Sequence, residues 1–410
     1  MALQALLQKI GYNPGEVDGI YGPMTADAVR QFQSFNGLSP TGEIDEATCE
    51  ALRPFFLGYV TYVIQPGDSL YKIANQFGTT VQKIVIANPD INPYNLQVGD
   101  EIIAPYGYEV VDTNINYSYD VLESDIKGLQ ARYPFLEVGS IGQSVLGRDL
   151  YYIRLGTGEN TVFYNGAHHS LEWITAPILM KFIENFLINY TQGQDIQGYD
   201  LDNIWETSSI YIVPMVNPDG IDLVLNGLSE DNPYYDDLIE WNDGSTDFSE
   251  NWQANIKGVD LNHNYPAGWE ESKEGEAGVG VTGPGPTRFS GDAPFSEPES
   301  RAVGDFTEQI DPRLVLAYHT QGEVIFWDFQ DMATEEARII GERLAEISGY
   351  ALAEAVGFTS YAGYKDWFIQ DFGRPGYTVE GGLGVNPLPI SQFDKIYADN
   401  EAVLLESALI

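Results

Sequence analysis

From residue 107 to residue 410, short apolar runs alternate with amphipathic ones, and this alternation limits the available folds more than any other feature. Residues 150–155, 161–164, 210–216, 314–318 and 376–379 are strand-length runs of largely apolar side chains. Residues 119–133, 176–187, 298–309, 334–348 and 390–409 instead repeat apolar side chains at helical spacing. Buried strands separated by helices predict an α/β domain with a mixed sheet and functional side chains at strand ends. Two acidic, Gly- and Pro-rich stretches, 229–251 and 270–294, read as long surface loops without the ligand spacing of a calcium loop. No internal repeat is evident.

The N-terminal residues are patterned differently. Residues 1–56 predict a small all-α, three-helix module. Leu3, Leu6, Leu7 and Ile10 share one helical face, and Gly11 stops that helix. After a Gly/Pro/Asp-rich turn over 13–23, Thr25 is expected to cap a second helix with Val29, Phe32 and Phe35 inward, and Asp45 to start a third. Residues 59–106 predict a βααβ module. In it, 59–64 alternates as a strand, Gln65-Pro66-Gly67-Asp68 turns, Ser69 and Thr80 cap two short helices, and 98–103 closes the pair.

A chain of 410 residues has room for two or three domains at about 150 residues each. Its formal net charge of −41 is spread along the whole length and repels nucleic acid and anionic lipid, so neither is expected as a partner. A single cysteine, Cys49, leaves no internal disulfide and no cysteine-based metal site. No stretch approaches the roughly 20 apolar residues of a membrane span. The N-terminus lacks the basic start and small-residue cleavage site of a signal peptide, so export is not written in this sequence.

Only four histidines occur in the chain, and three gather at the ends of apolar runs. His168 and His169 adjoin after 161–164, and His319 follows 314–318. His169 and Glu172 form a His-x-x-Glu pair. Two imidazoles and one carboxylate so placed make the ligand set of a catalytic zinc site with an open fourth position. On its own the pair reads more readily as a core histidine beside a surface glutamate, since so short a pattern matches often. A one-residue slip would make His168 the ligand, but only His169 has the spacing.

Three resemblances add to this. Val17-Asp18-Gly19-Ile20-Tyr21-Gly22-Pro23-Met24-Thr25, followed by Ala28-Val29-Arg30-Gln31-Phe32-Gln33, resembles the peptidoglycan-binding domain 1 family, without its usual leading Gly-containing turn. Tyr62 to Leu70, Ile73-Ala74 and Ala87-Asn88-Pro89 resemble a LysM domain. That likeness implies binding of N-acetylglucosamine-containing glycan through the loops at Gly67, Asp68 and Ser69 and at Asn88 and Pro89. In the rest of the chain, Ser144 to Arg148, His169 to Trp173, Val216 to Gly220, Gly258 to Asn264, Tyr318-His319-Thr320 and Tyr377 to Gly381 occur in order. This series resembles the zinc carboxypeptidase (carboxypeptidase A-like) family. With two cell-wall modules in front, the arrangement is similar to bacterial γ-D-glutamyl-L-diamino acid endopeptidases.

The resemblance implies a mixed-sheet catalytic domain over 107–410 holding one Zn²⁺ through His169, Glu172 and His319. It makes Glu380 the general base and Asp260 the carboxylate that orients the first zinc imidazole. Asn217 and Asp219 are expected to build a turn near the site. The departures bear on substrate. The arginine expected after the motif asparagine, Asn262, is His263; another, before the zinc glutamate, is Leu171; the oxyanion arginine after Trp252 is Gln253, whose amide can still donate one hydrogen bond. Tyr361 and Tyr364 lie where the family has a mobile tyrosine, and Lys365 is a candidate for a substrate carboxylate, with an ordinary surface lysine as its plain alternative. Fewer arginines favour a branched or modified peptide over a free C-terminus. The expected function is hydrolysis, in peptidoglycan stem peptides, of the γ-D-glutamyl bond to diaminopimelate or lysine, in the cell wall or on the spore. The alternatives are a true carboxypeptidase and an inactive wall-binding or spore-coat protein.

Overall fold

A computed structural model of the chain describes residues 1–357 and 360–410. They form two compact units: Met1–Asn116 with Asp120–Leu136, and Tyr117–Tyr119 with Glu137–Ile410.

In the first unit, helices Ala2–Lys9, Pro23–Phe35 and Glu46–Leu57 close on Leu6, Leu7, Ala28, Val29, Phe32 and Leu52. Burying each of the larger apolar side chains contributes about 1.5–3 kcal/mol. Gln4 is buried among them and ties down the Gly/Asp-rich turn, its Nε2 donating to Asp18 Oδ1 (2.9 Å) and its Oε1 accepting from the Gly19 amide (2.8 Å). Asp45 caps its helix by accepting from the Thr48 amide. Two expectations are corrected. The second helix starts at Pro23, whose fixed φ suits a first helical position, so Thr25 lies inside the turn with its hydroxyl on the Pro14 carbonyl. Phe35, expected inward, is 85% exposed. Strands β1 (Tyr59–Val63) and β2 (Glu101–Pro105) pair antiparallel around helices Leu70–Gln76 and Val81–Ala87, capped by Ser69 and Thr80. Helix Tyr119–Arg132 belongs mostly to this unit, with Arg132 donating to the Gly58 and Tyr108 carbonyls, each at 2.8 Å.

The second unit is a mixed eight-stranded sheet flanked by helices. Its strands are β3 (Glu137–Gln143), β4 (Asp149–Leu155), β5 (Asn160–Gly166), β6 (Ser208–Val213), β7 (Leu314–His319), β8 (Val324–Phe326), β9 (Ala351–Ala353) and β10 (Gly376–Glu380). Their order is β3-β4-β6-β5-β7-β10-β8-β9. β6, β5, β7 and β10 are mutually parallel, and β4 and β8 flank them antiparallel. β5 and β7 lie mid-sheet and are apolar on both faces, as strands covered on both sides must be. On one face Phe163, Val315 and Ala317 pack with Phe306, Trp367 and Phe368; on the other the Tyr164 hydroxyl donates to the Leu404 carbonyl at 2.8 Å.

Both stretches read as loops contain helices, Tyr235–Trp241 and Trp269–Gly278. Their first turns are acidic (Asp236, Asp237; Glu270, Glu271), which favours the positive N-terminal end of a helix dipole. Neither has a strong apolar stripe to betray it. Residues 144–148 form a turn pinned from below by two carboxylates: the Val145 amide donates to Glu299 Oε1 (3.0 Å) and the Leu146 amide to Asp219 Oδ2 (2.8 Å). Glu299 is fully buried, and burial, aided by the charges of Asp219 and Glu297, pushes its carboxyl up to about 8.

Candidate active site and metal centre

Strand register assembles the site. Gly166 on β5 pairs with Tyr318 on β7, and His319 pairs with Glu380 on β10, so three parallel strands end side by side. Just beyond β5 the chain turns at Ala167, whose left-handed φ of +58° sends the two following histidines different ways. His168 goes into the core, with Nε2 2.9 Å from the Tyr265 hydroxyl; burial pushes its pKa well below the ordinary value. His169 goes to the site. Asn217 holds this turn, its Nδ2 donating to the His168 carbonyl (3.0 Å) while its Oδ1 caps helix Pro218–Asn226.

His169, Glu172 and His319 converge. His169 Nδ1 lies 3.0 Å from Glu172 Oε1, and His319 Nδ1 lies 2.8 Å from Glu172 Oε2. One ligand atom from each falls within 4.8 Å of the others, and two imidazole nitrogens with a carboxylate are a donor set that zinc accepts. The other face of His169 adds to the fit: Nε2 lies 3.0 Å from Asp260 Oδ1, the carboxylate–imidazole support that metal-binding histidines commonly have. Burial raises the Glu172 carboxyl, but the two imidazoles more than offset it and hold it below its usual range. Asp260 behaves alike: burial raises it, while His169, His263 and the Arg288 amide bring it lower still.

Glu380 stands apart from these carboxylates. Burial first, then the charge of Glu172, push its pKa well above the ordinary value, with His169 opposing. Two carboxyls whose environments drive them in opposite directions are the arrangement expected of a ligand and a proton carrier.

The remaining candidates divide. The Gln253 carbonyl accepts from the Ser170 amide (3.0 Å), and Gln253 Oε1 accepts from the Thr287 hydroxyl (2.8 Å). Asn262 and His263 sit beside Asp260, with Asn262 Oδ1 accepting from the Tyr364 amide (3.1 Å) and His263 Nδ1 3.1 Å from the Tyr361 carbonyl. Tyr361 is half-buried against Phe329. Tyr364 instead opens helix Tyr364–Phe372 and is fully buried, its hydroxyl 3.0 Å from that of Thr307. Lys365 is buried too, its Nζ on Asp366 Oδ1 (2.5 Å) and the Asp328 carbonyl (2.6 Å), so neither Tyr364 nor Lys365 presents its polar end to a ligand. In the βααβ module, Asp68 accepts from Tyr62 and the Gln65 amide, Ser69 caps a helix, and Asn88 bridges the Ile84 and Ile103 carbonyls. Those side chains build their loops, while Gly67 and Pro89 are exposed.

Sequence reasoning missed two contributors. Asn386 Nδ2 lies 3.3 Å from Glu172 Oε1 and donates to the Thr320 carbonyl (2.8 Å). The segment 286–289 laces Gln253 to Asp260. The Pro286 carbonyl accepts from the Gln253 amide (2.8 Å), the Arg288 amide donates to Asp260 Oδ2 (2.8 Å), and the Phe289 carbonyl accepts from the Asp260 amide (2.8 Å). Neither contributor carries a motif, and both act across long sequence separations.

Comparison with known proteins agrees with this geometry. The chain matches the zinc carboxypeptidase family over residues 122–402, a peptidoglycan binding domain over 1–52 and a LysM domain over 62–105. It is 42% identical to gamma-D-glutamyl-L-diamino acid endopeptidase 1 of Lysinibacillus sphaericus, across 84% of this chain and 98% of that protein. It is 34% identical to the uncharacterized protein YqgT of Bacillus subtilis, across 82% of this chain and 86% of that one. Bovine thrombin-activatable fibrinolysis inhibitor shares the fold, with a TM-score of 0.55 at 18% identity over 72% of this chain and 97% of that one. The two N-terminal matches indicate peptidoglycan binding and association with the cell wall, and among the described residues no helix is long and apolar enough to cross a membrane. The chain belongs to the zinc carboxypeptidase family and is a zinc metallopeptidase carrying peptidoglycan-binding modules.

Proposed function

We propose that this metallopeptidase hydrolyses the γ-D-glutamyl bond to the diamino acid, diaminopimelate or lysine, in peptidoglycan stem peptides. The observation that carries the reading is a complete hydrolytic constellation without the arginine grip of an exopeptidase. His169, Glu172 and His319 converge beside Glu380, while Leu171, Gln253 and His263 stand where that family places arginines. The likeness to the Lysinibacillus sphaericus enzyme supports the same bond.

His169, Glu172 and His319 would hold the zinc, which when bound would supply Lewis-acid polarisation of the scissile carbonyl and a more nucleophilic water. Asp260 fixes the tautomer and direction of His169. Glu380, at the end of β10 beside His319, takes the proton from attacking water and delivers it to the leaving amine; its raised pKa suits a group that must both accept and return a proton. With its Oε1 facing Thr287, Gln253 has its amide N–H₂ to donate to the oxyanion. Tyr361 rather than Tyr364 is the tyrosine within reach of substrate. The LysM and peptidoglycan-binding modules hold the enzyme on N-acetylglucosamine-containing glycan and raise the local concentration of stem peptides.

The test is mass spectrometry of stem peptides digested with and without chelator. Cleavage on the carbonyl side of the diamino acid, retained when the C-terminus is amidated and lost with chelator, is the expected result. Cleavage confined to free C-termini would make the enzyme a carboxypeptidase instead.

A further inference from the structure

We infer that Asn386 is a positioning residue of the metal centre, its side-chain amide holding the Glu172 carboxylate in place as a ligand from the loop that follows Glu380. The inference rests on the zinc ligands proposed above and deepens that reading.

Asn386 belongs to residues 381–389, the connection that leaves β10 just after the general base. Main-chain bonds lace this connection to the residues that end β7 and follow it. The Gly381 amide donates to the His319 carbonyl (2.9 Å), and the Gly322 amide to the Gly382 carbonyl (2.8 Å). Asn386 adds a side-chain tie. Its Oδ1 accepts from the Thr320 hydroxyl (2.7 Å), while its Nδ2 donates to the Thr320 carbonyl (2.8 Å) and lies 3.3 Å from Glu172 Oε1. The neighbours fix which end of the amide is which. A carbonyl and an ionised carboxylate can only accept, so both require the N–H₂ end, and its two protons serve one acceptor each.

The amide matters most once the ion is bound. Glu172 is buried, and its two oxygens face His169 Nδ1 (3.0 Å) and His319 Nδ1 (2.8 Å). The Nδ1 of His169 is the nitrogen left for a metal, because Nε2 is turned to Asp260. A ring nitrogen that ligates a metal has no proton to donate, so a bound ion ends the imidazole bonds to Glu172. Among the described residues, the Asn386 amide is then the side-chain donor in contact with this carboxylate. A buried carboxylate oxygen needs such a donor, and a carboxylate held in one direction binds a metal better than one free to turn.

Asn386→Leu keeps the bulk and removes both ends of the amide, and Asn386→Ser, as a second variant, is too short to reach Glu172. Gln392→Ala is the control: the Gln392 side chain holds the same loop through the Leu383 amide (3.1 Å) and carbonyl (2.7 Å). Zinc affinity of the full chain is measured by chelator competition, and cobalt(II) in place of zinc gives visible bands that report ligand geometry. Both Asn386 variants are expected to bind zinc about 10- to 100-fold more weakly and to shift the cobalt bands. Gln392→Ala is expected to match wild type in both readouts. Wild-type affinity in the Asn386 variants, or an equal loss in Gln392→Ala, overturns the inference and leaves the zinc ligands standing. Wild type that takes up no zinc overturns both.

Discussion

Glu299 offers a direct test of how the catalytic unit stores electrostatic cost. Its carboxyl is fully enclosed, receives the Val145 amide and faces Asn255 Nδ2 at 3.3 Å, with its pKa raised from 4.5 to about 8. The folded state therefore holds this proton where the unfolded chain releases it. Stability from the group is fully present below about pH 4.5 and is lost as pH rises through about 8. Each unit of displacement is worth about 1.4 kcal/mol, so the loss across that window reaches about 5 kcal/mol. Glu299→Gln cannot ionise and should escape this loss. It sets one amide N–H₂ against another donor, Val145 or Asn255, at a cost of about 1 kcal/mol that is independent of pH. The variant should thus be the less stable protein near pH 5 and the more stable near pH 8. All seven tryptophans lie in the second unit, so fluorescence-detected urea unfolding at pH 5, 6, 7 and 8 reads that unit alone. A difference between wild type and variant that stays constant over this range would refute the buried-proton account.

Two further outcomes follow from the site. Glu380→Gln should lower kcat by about 100- to 10,000-fold while zinc content stays at one ion per chain, checked by steady-state assay and metal analysis. Asp260→Asn should weaken zinc binding by about 10- to 100-fold in a chelator competition, because the amide no longer offers His169 a charged acceptor; unchanged affinity would mean that the ring needs no such support.

Much of this was legible in the sequence, for identifiable reasons. Apolar runs 161–164 and 314–318 marked β5 and β7 because both faces of those strands are covered, and His169, Glu172 and His319 were singled out by the His-x-x-Glu spacing and by histidines following those runs, with the family resemblance making them a ligand set. Side chains whose job depends on a distant partner were not legible. Tyr364 and Lys365 looked like loop residues until the helix they begin was seen to bury them. Arg288 lies in a Gly- and Pro-rich stretch with no period, and its partner Asp260 is 28 residues away. Asn386 reaches Glu172 across 214 residues. The helices Tyr235–Trp241 and Trp269–Gly278 were hidden because their sequences are too polar for an apolar stripe to show.

The parallel ladder joining β5, β7 and β10 has a consequence for how such an enzyme can change. His319 and Glu380 are spaced by main-chain pairing, and a slip of one residue would turn Glu380 to the opposite face of the sheet. The hydrolytic geometry is therefore a property of the backbone and tolerates no gradual adjustment. Gln253, residues 286–288 and Tyr361, by contrast, stand on connecting segments outside the paired strands. The main chain of 286–289 also holds Asp260 behind His169, so changes of side chain on these segments, and not replacement of the whole 282–289 stretch, are the changes that leave the hydrolytic geometry undisturbed.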